Sequence, residues 1–236
     1  MNKKQQLAEF VGIILGDGNI HKTLNRVTIV GSLEDKQYYV NNVLPLIKNL
    51  FNIDAKLKRR NDRNAFYIYF YSKEIIDFLT EEIGLVRGTK LNAHIPSFIL
   101  KNKMLFSSCL RGLFDTDGCL KFSKQTRNKH YYPRIRFAFR RCPFSLEMKK
   151  MITNFGFSMS SWEDNRVNPM ICYEISGKEN LEKWMSVITP NNPVHVSKYL
   201  FWKKFGYYEP KSTLQARLDA LNLNTTCFFK EIDLPR

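Results

Sequence analysis

The sequence predicts an α+β fold built from two pseudo-symmetric αββαββα halves, each carrying a four-stranded antiparallel sheet. Three observations point to it. The stretch Leu110-Arg111-Gly112-Leu113-Phe114-Asp115-Thr116-Asp117-Gly118 aligns without a gap on Phe10-Val11-Gly12-Ile13-Ile14-Leu15-Gly16-Asp17-Gly18. The two terminal acids, Asp17 and Asp117, stand one hundred residues apart, a repeat the size of a small domain. Behind each copy the hydrophobic pattern then runs through the same order: two strands, a helix, two strands, a helix.

In the first half, Leu7, Phe10, Val11, Ile14 and Leu15 recur at helical spacing. Asn19 to Gly31 reads as a hairpin whose clearest strand is Arg26 to Val30. Glu34 to Leu50 is helical, with Tyr39, Val43, Leu46, Ile47 and Leu50 on the apolar face. A strand around Lys56, Lys58 and Arg60 turns at Asp62-Arg63-Asn64 into Ala65 to Tyr71. There Phe66, Ile68 and Phe70 alternate with Tyr67, Tyr69 and Tyr71. Ser72 caps a helix to Glu82. The expected divisions are 1–83 for the first half, 84–102 for a linker, 103–205 for the second half and 206–236 for a tail. Ile95 to Leu100 is a short helix within the linker.

The second half repeats the order. Met104 to Thr116 is the partner helix, and Cys119 to Ser123 and Pro133 to Arg141 are strands joined by the basic loop Lys124 to Tyr132. Pro143 to Phe155 is a helix with proline in its first turn. Gly156 to Asp164 and Val167 to Ser176 are strands around Asn165-Arg166, and Lys178 to Ile188 is a helix. Helices near His195 to Lys204 and Thr213 to Leu221 are expected to buttress the second half, with a loosely ordered end after Asn224.

The repeated helix has two costly features. Gly12 and Gly112 lie mid-helix, where glycine costs about 1 kcal/mol relative to alanine. With Gly16 and Thr116 they form flat strips on which another backbone can approach. Asp17 and Asp117 sit at helix C-termini, where the dipole disfavours a carboxylate. Gly18 and Gly118 are placed where a left-handed residue would stop each helix. Packing the two strips together satisfies both oddities: it brings the carboxylates into one negative volume that suits a hard divalent cation such as Mg²⁺ (or Mn²⁺), with water and phosphate oxygens as further ligands. Carboxylates that share metals beside a phosphodiester are the plan of many nucleases.

Composition agrees. Lys and Arg outnumber Asp and Glu 37 to 22, for a net charge of +15, which favours polyanionic partners and salt-dependent binding. The excess concentrates after residue 100. The five cysteines, Cys109, Cys119, Cys142, Cys172 and Cys227, form no C-x-x-C pair. They read as reduced, mostly buried thiols of an intracellular protein (cytoplasm, nucleoid or organelle matrix) and exclude a zinc or disulfide framework. No apolar run reaches membrane-spanning length. The first residues lead directly into a helix, so no signal peptide is expected.

The two stretches Phe10 to Gly18 and Leu110 to Gly118 resemble the signature helices of the LAGLIDADG homing endonucleases, in the single-chain form with two copies. The resemblance covers residues 7 to about 205. It implies saddle-shaped sheets that straddle the DNA major groove, signature helices as the seam, and a monomer acting on double-stranded DNA at a long, poorly symmetric site. It further implies metal-dependent paired cuts across the minor groove that leave 3′ overhangs. Some members act instead as RNA splicing maturases or DNA-binding regulators. No intein splicing blocks are seen, so an intron-encoded or free-standing origin is expected.

Asp17 and Asp117 are the expected catalytic metal ligands, helped by the carbonyls of Gly16 and Thr116. Asp115, two residues back, is on another face and structural. Family members also place a basic or polar residue at the strand end before each half's second helix. Arg140 or Arg141 stands there in the second half. Val30-Gly31-Ser32 offers no Lys or Arg in the first, with Lys22 and Lys121 as substitutes. On the strands, Arg26, Thr28, Lys56, Lys58, Arg60, Arg134, Arg136 and Arg140 form the expected base-reading face. Lys124, Arg127 and Lys129, with His130, would meet phosphates.

Overall fold

A computed structural model describes residues 1–126, 128–164, 169–223 and 228. Arg127, the Asn165-Arg166 turn, Cys227 and, apart from Phe228, the end expected to be loose after Asn224 lie outside them.

The first half comprises α1 (Lys3–Leu15), β1 (Gly18–Ile20), β2 (Arg26–Ser32), α2 (Lys36–Tyr38), α3 (Leu44–Phe51), β3 (Lys56–Arg59), β4 (Ala65–Tyr71) and α4 (Lys73–Asp77). π-helical turns at Tyr39–Val43 and Phe78–Glu82 join α2 to α3 and extend α4. A short α5 (Ser97–Leu100) precedes the second half: α6 (Lys103–Asp117), β5 (Cys119–Ser123), β6 (Tyr132–Arg140), α7 (Pro143–Asn154), β7 (Ser160–Asp164), β8 (Met170–Ser176) and α8 (Lys178–Val187). Then come α9 (Pro193–Phe205) and α10 (Leu214–Leu221).

Both sheets have the same antiparallel topology, β1-β2-β4-β3 and β5-β6-β8-β7. The α+β two-half architecture is therefore present, strand for strand. Alternation fixes the faces. In β4, Phe66, Ile68 and Phe70 are buried while Tyr67 and Tyr69 are half-buried on the other side. In β6, Ile135, Phe137 and Phe139 are buried between Arg134, Arg136 and Arg140. The helices cover the apolar faces: Tyr39 packs edge-on against Phe66, and Trp184 against both Phe114 and Phe137.

The seam is α1 against α6, backbone to backbone. A Cβ at Gly12 would lie 1.9 Å from the Cys109 carbonyl oxygen, and one at Gly112 would lie 2.1 Å from that of Glu9. These contacts explain mid-helix glycine where propensity opposes it. Gly18 and Gly118 correct the expectation of left-handed stops. Gly118 caps α6 in an extended conformation (φ −79°), and α1 ends earlier, at Gly16 (φ −77°). Glycine is needed there for room, since a Cβ at Gly18 would meet Ile14 Cα at 2.5 Å and one at Gly118 the Phe114 carbonyl oxygen at 2.6 Å.

Beside the glycines runs a buried polar network. Arg111 donates to Glu9 Oε2 at 2.7 Å, the Asn191 amide donates to Asp115 Oδ2 at 2.8 Å, and Asn191 Nδ2 to Glu9 Oε1 at 3.2 Å. Burial pushes Asp115 up to about 8 inside this network. The C-terminal helices brace more than the second half. Trp202 stacks on Phe122 of β5, but Asn192 Nδ2 reaches Asp35 Oδ1 at 2.8 Å, and the fully buried Arg217 reaches Glu34 at 3.1 Å. These contacts tie the C-terminal segment to the first half as well. The thiols are also less uniform than expected. Cys109 and Cys142 are buried, but Cys119 is exposed and Cys172 half-buried, because both face outward from strands.

Candidate active site and nucleic-acid interface

The glycine strips converge on the two acids. A Cβ at Gly16 would stand 2.3 Å from Thr116 Oγ1 and 3.3 Å from Asp117 Cβ, so the end of each helix lies directly on the other. Asp17 is half-buried and Asp117 opens into a cleft. The cleft, of about 520 Å³, is lined by Leu15, Gly16, Lys90, Asp117, Arg140 and Cys142, among others. Burial, together with the charge of Asp117, pushes Asp17 up to about 7, against the hydrogen bond from Tyr39 and the charge of Lys90. Asp117 is pushed up to about 6 by the surrounding protein, with Lys90 opposing. Because Asp117 faces the open cleft, hydration relieves it more readily than Asp17.

Three neighbours of the acids were not legible in the sequence. Lys90, in the segment between the halves, donates to the Leu15 carbonyl at 3.0 Å and, more closely, to the Gly16 carbonyl. Burial lowers it to about 8, although both acids pull it upward. The Tyr39 hydroxyl lies 3.0 Å from Asp17 Oδ2 and 3.2 Å from the Val30 carbonyl. The π turn that begins at Tyr39 carries its ring onto Gly31, where a Cβ would fall 2.7 Å from the ring. Helical spacing marks Tyr39 only as apolar, so its hydroxyl went unread. Asp35 stands nearby, raised by burial and held by Ser32 and Asn192.

Of the expected basic residues, Arg140 does reach the cleft beside Asp117. Its neighbour Arg141 is bound to Glu163 at 2.9 Å instead. Lys121 is on the sheet face among Arg136, Glu174 and Arg134. Lys22 is exposed in the β1–β2 loop beside Gly88.

The donor set suits a hard cation. The Gly16 carbonyl already accepts from an ammonium, with Asp117 alongside and Asp17 within electrostatic reach. Among the described residues no cluster of three or more His, Cys, Asp or Glu could hold a metal by itself. Two carboxylates and main-chain carbonyls leave positions for water and phosphate oxygens, as Mg²⁺ and Mn²⁺ prefer.

The outward sheet faces are basic and aromatic. On the first, Lys56 pairs with Tyr69, Lys58 with Tyr67 and Arg26 with Tyr71, while Thr28 lies opposite Tyr69. Tyr67, Tyr69 and Tyr71 form a ladder, centroids 5.5 and 5.9 Å apart, with Lys58 over Tyr69. Arg60 falls one residue beyond β3 and is held bidentately by Asp62 at 2.9 Å, because the turn brings that carboxylate to it. On the second face, Arg134 and Arg136 are both clamped to the buried Glu174. Burial raises Glu174, but Arg136, Ser176 and Arg134 hold it below the usual carboxylate range. Alternation placed the two arginines on the correct face and missed the shared counter-ion on β8. Arg136 also stacks on Trp162 at 4.8 Å. Lys124 is exposed, and Lys129 lies over Tyr207 at 4.4 Å.

Comparison with known proteins matches this architecture. A family model described as LAGLIDADG-like domain matches residues 107–189. The fold is similar to that of the homing endonuclease I-DmoI in complex with DNA and Mn (TM-score 0.55, 16% identity, 79% of this chain and 97% of that one). It is also similar to the N-terminal LAGLIDADG domain of DUF199/WhiA (TM-score 0.52, 14% identity, 80% and 82%). Among curated proteins, the replication factor C small subunit of Methanocaldococcus jannaschii is 36% identical over 117 residues, 48% of this chain and 6% of that protein. The glutamine–fructose-6-phosphate aminotransferase of the same organism is 29% identical over 117 residues, 49% and 10%. The ribonucleoside-diphosphate reductase NrdEB subunit alpha of Bacillus subtilis is 26% identical over 132 residues, 51% and 12%. The chain thus spans only about a tenth of the curated relatives it matches. With two helices packed through glycine, an acid at the end of each and a four-stranded sheet behind each, the chain has the LAGLIDADG fold, and its second half, residues 107–189, matches the LAGLIDADG-like domain.

Proposed function

We propose that the protein is a site-specific, divalent-metal-dependent endonuclease of double-stranded DNA, working as a monomer on a long, poorly symmetric target. The observation that carries this reading is the meeting of Asp17 and Asp117 where the two glycine-packed helices end, with Asp117 and Arg140 lining a cleft there and a basic sheet face in each half. Asp17 and Asp117, with the Gly16 and Thr116 carbonyls, would hold Mg²⁺ or Mn²⁺. When bound, the metal activates water and stabilises the departing oxygen. At each strand, water adds to phosphorus, one P–O bond breaks and the departing oxygen takes up a proton. Arg140 faces the phosphate beside Asp117. Tyr39 orients Asp17 through its hydroxyl. The sheet residues Arg26, Thr28, Lys56, Lys58 and the tyrosine ladder, with Arg134 and Arg136 opposite, read the groove, and Lys124 and Lys129 hold phosphates. Each acid serves one strand, and cuts across the minor groove leave 3′ overhangs. The divisions at 1–83, 84–102, 103–205 and 206–236 fit this plan. The curated relatives support a mobile-element origin: three proteins of unlike names match only over short segments, a pattern that an inserted element produces.

The first half lacks a basic residue at Val30-Gly31-Ser32, which favours one second reading, a nucleic-acid binder or splicing maturase with weak cleavage. Incubation with a duplex DNA library in Mg²⁺ or EDTA, followed by sequencing of new ends, separates the two. Mg²⁺-dependent cuts at one long site with 3′ overhangs are expected. Tight, salt-sensitive binding without new ends would assign the binder.

A further inference from the structure

The segment between the halves is strapped down on both sides of Lys90. Before it, the Gly88 amide donates to the Ile20 carbonyl at 2.7 Å and Asn19 Nδ2 donates to the Gly88 carbonyl at 3.0 Å, both on β1. After it, the Phe144 amide donates to the Ala93 carbonyl at 2.9 Å and the Ile95 amide to Glu147 Oε2 at 2.7 Å, both on α7. Between the straps a single 3₁₀ turn, Lys90–Asn92, sets the ammonium on the Leu15 and Gly16 carbonyls. Those carbonyls end α1, where the helix dipole is negative and a cation is favoured.

This placement breaks the pseudo-symmetry in charge. Gly16 touches Asp117, and Lys90, Asp117 and Arg140 line one cleft. The Asp117 side therefore holds two cations. Around Asp17 stand the neutral Tyr39 hydroxyl and a further acid, Asp35, beside a strand end without Lys or Arg, and Lys90 acts on Asp17 more weakly than on Asp117.

We propose that Lys90 is the resident cation of the Asp117 half-site, seated on the carbonyl that a divalent ion would use, and that it makes this half-site cut its strand first. The seat follows from the contacts alone, and the order of cutting rests on the endonuclease reading. In the DNA-free protein the ammonium competes with a metal for Gly16. In the complex it adds, with Arg140, a second positive charge to the cleft that receives the phosphate, whereas the strand end beside Asp17 carries no counterpart of Arg140, and Lys90 acts less on Asp17 than on Asp117.

The first test titrates Mn²⁺ into the DNA-free full-length protein by calorimetry, comparing wild type, Lys90→Met, Lys90→Arg and Asp117→Asn. Lys90→Met should bind Mn²⁺ about tenfold more tightly, the scale of removing one adjacent like charge. Lys90→Arg should stay near wild type, and Asp117→Asn should bind more weakly. Unchanged or weaker binding by Lys90→Met, with its thermal melt intact, overturns the seat. The second test follows a supercoiled plasmid bearing the target, with the two strands labelled separately. A nicked intermediate should accumulate, cut in the strand that Asp117→Asn leaves whole. Lys90→Met should slow that strand about tenfold, the same one-charge scale, and erase the bias. Equal strand rates in wild type, or a bias that survives Lys90→Met, overturn the order of cutting. A wild type that cuts no DNA in Mg²⁺ removes the endonuclease reading and the order with it, while the Mn²⁺ titration decides the seat.

Discussion

Gly12 and Gly112 each press on the other's helix: the missing Cβ of one would lie 1.9 Å from the Cys109 carbonyl oxygen, and that of the other 2.1 Å from the Glu9 carbonyl oxygen. No rotamer change can relieve a clash with backbone. Gly112→Ala should gain about 1 kcal/mol of helix propensity and still destabilise the protein by 3 kcal/mol or more, on the order of a severe overpacking. Urea melts compare it with Leu146→Ala, an exposed position on α7. A neutral Gly112→Ala would show that the helices are not held at backbone contact.

Asp17 and Asp117 oppose stability at neutral pH without metal. Both folded values lie above the ordinary 3.8, at about 7 and about 6. The sign is that of a raised acid: the favourable contribution is complete below about 4 and is lost as pH rises through 6 to 7. Melting temperature in EDTA should therefore fall across that window from this source. Asp17→Asn should flatten the fall and stabilise the metal-free protein at pH 8 by about 1–2 kcal/mol. The same variant should lose all detectable double-strand cleavage and keep DNA affinity within about threefold, as expected for a group that acts on the reacting phosphate and contributes little to binding. Retained double-strand cutting removes Asp17 from the chemistry.

Metal binding should carry a proton signature. Because Asp17 holds a proton near neutrality, Mg²⁺ or Mn²⁺ must displace it, so affinity should rise with pH up to about 7 and level off above. Calorimetry in buffers of different ionisation enthalpy measures the protons released. Zero release at pH 6 would place the metal elsewhere.

Much of this was legible in the sequence, and what was not follows a rule. Local patterns record what a residue does for its own element. Hence the paired glycines, the alternation in β4 and β6 and the acids after each strip predicted the halves, the faces and the meeting of the two helix ends. Lys90 has no periodic neighbours, and only the hydrogen bonds that strap its segment to β1 and α7 bring it to Gly16. Tyr39 looked apolar because its ring is in the core and only its oxygen reaches Asp17. Arg134 and Arg136 read as free cations because Glu174 is on another strand, about 40 residues away in the chain.

That pairing gives a prediction of its own. Glu174→Gln leaves two guanidiniums without their carboxylate on the second sheet. Non-specific DNA binding should strengthen and its salt dependence steepen by about one to two phosphate contacts. Discrimination between target and random duplex should decline, since Glu174 now holds both arginines in fixed positions. Affinity against salt concentration on both duplexes measures this, and an unchanged slope would mean that the two arginines do not meet DNA.

Arg217 supplies a prediction outside the site. It is fully buried, and it donates to Ser197 Oγ at 2.9 Å, to the Ser212 carbonyl and to Glu34 at 3.1 Å. Arg217→Ala strands these acceptors and should cost about 3–5 kcal/mol. A chemical melt tests it. A loss below 1 kcal/mol would show that the C-terminal helices do not brace the first half.

The backbone contact at the glycines also acts as a ruler. Two main chains in van der Waals contact have a separation set by atomic radii, so side-chain drift cannot retune the distance between the two acids. The outward sheet positions carry no such backbone constraint, and outside the Glu174 clamp on Arg134 and Arg136 their side chains can be exchanged without moving the seam. In a DNA-cutting protein of this plan, the address is thus editable while the stagger between the two breaks is not. Redesign of the sheet faces should yield new targets with the same overhang length.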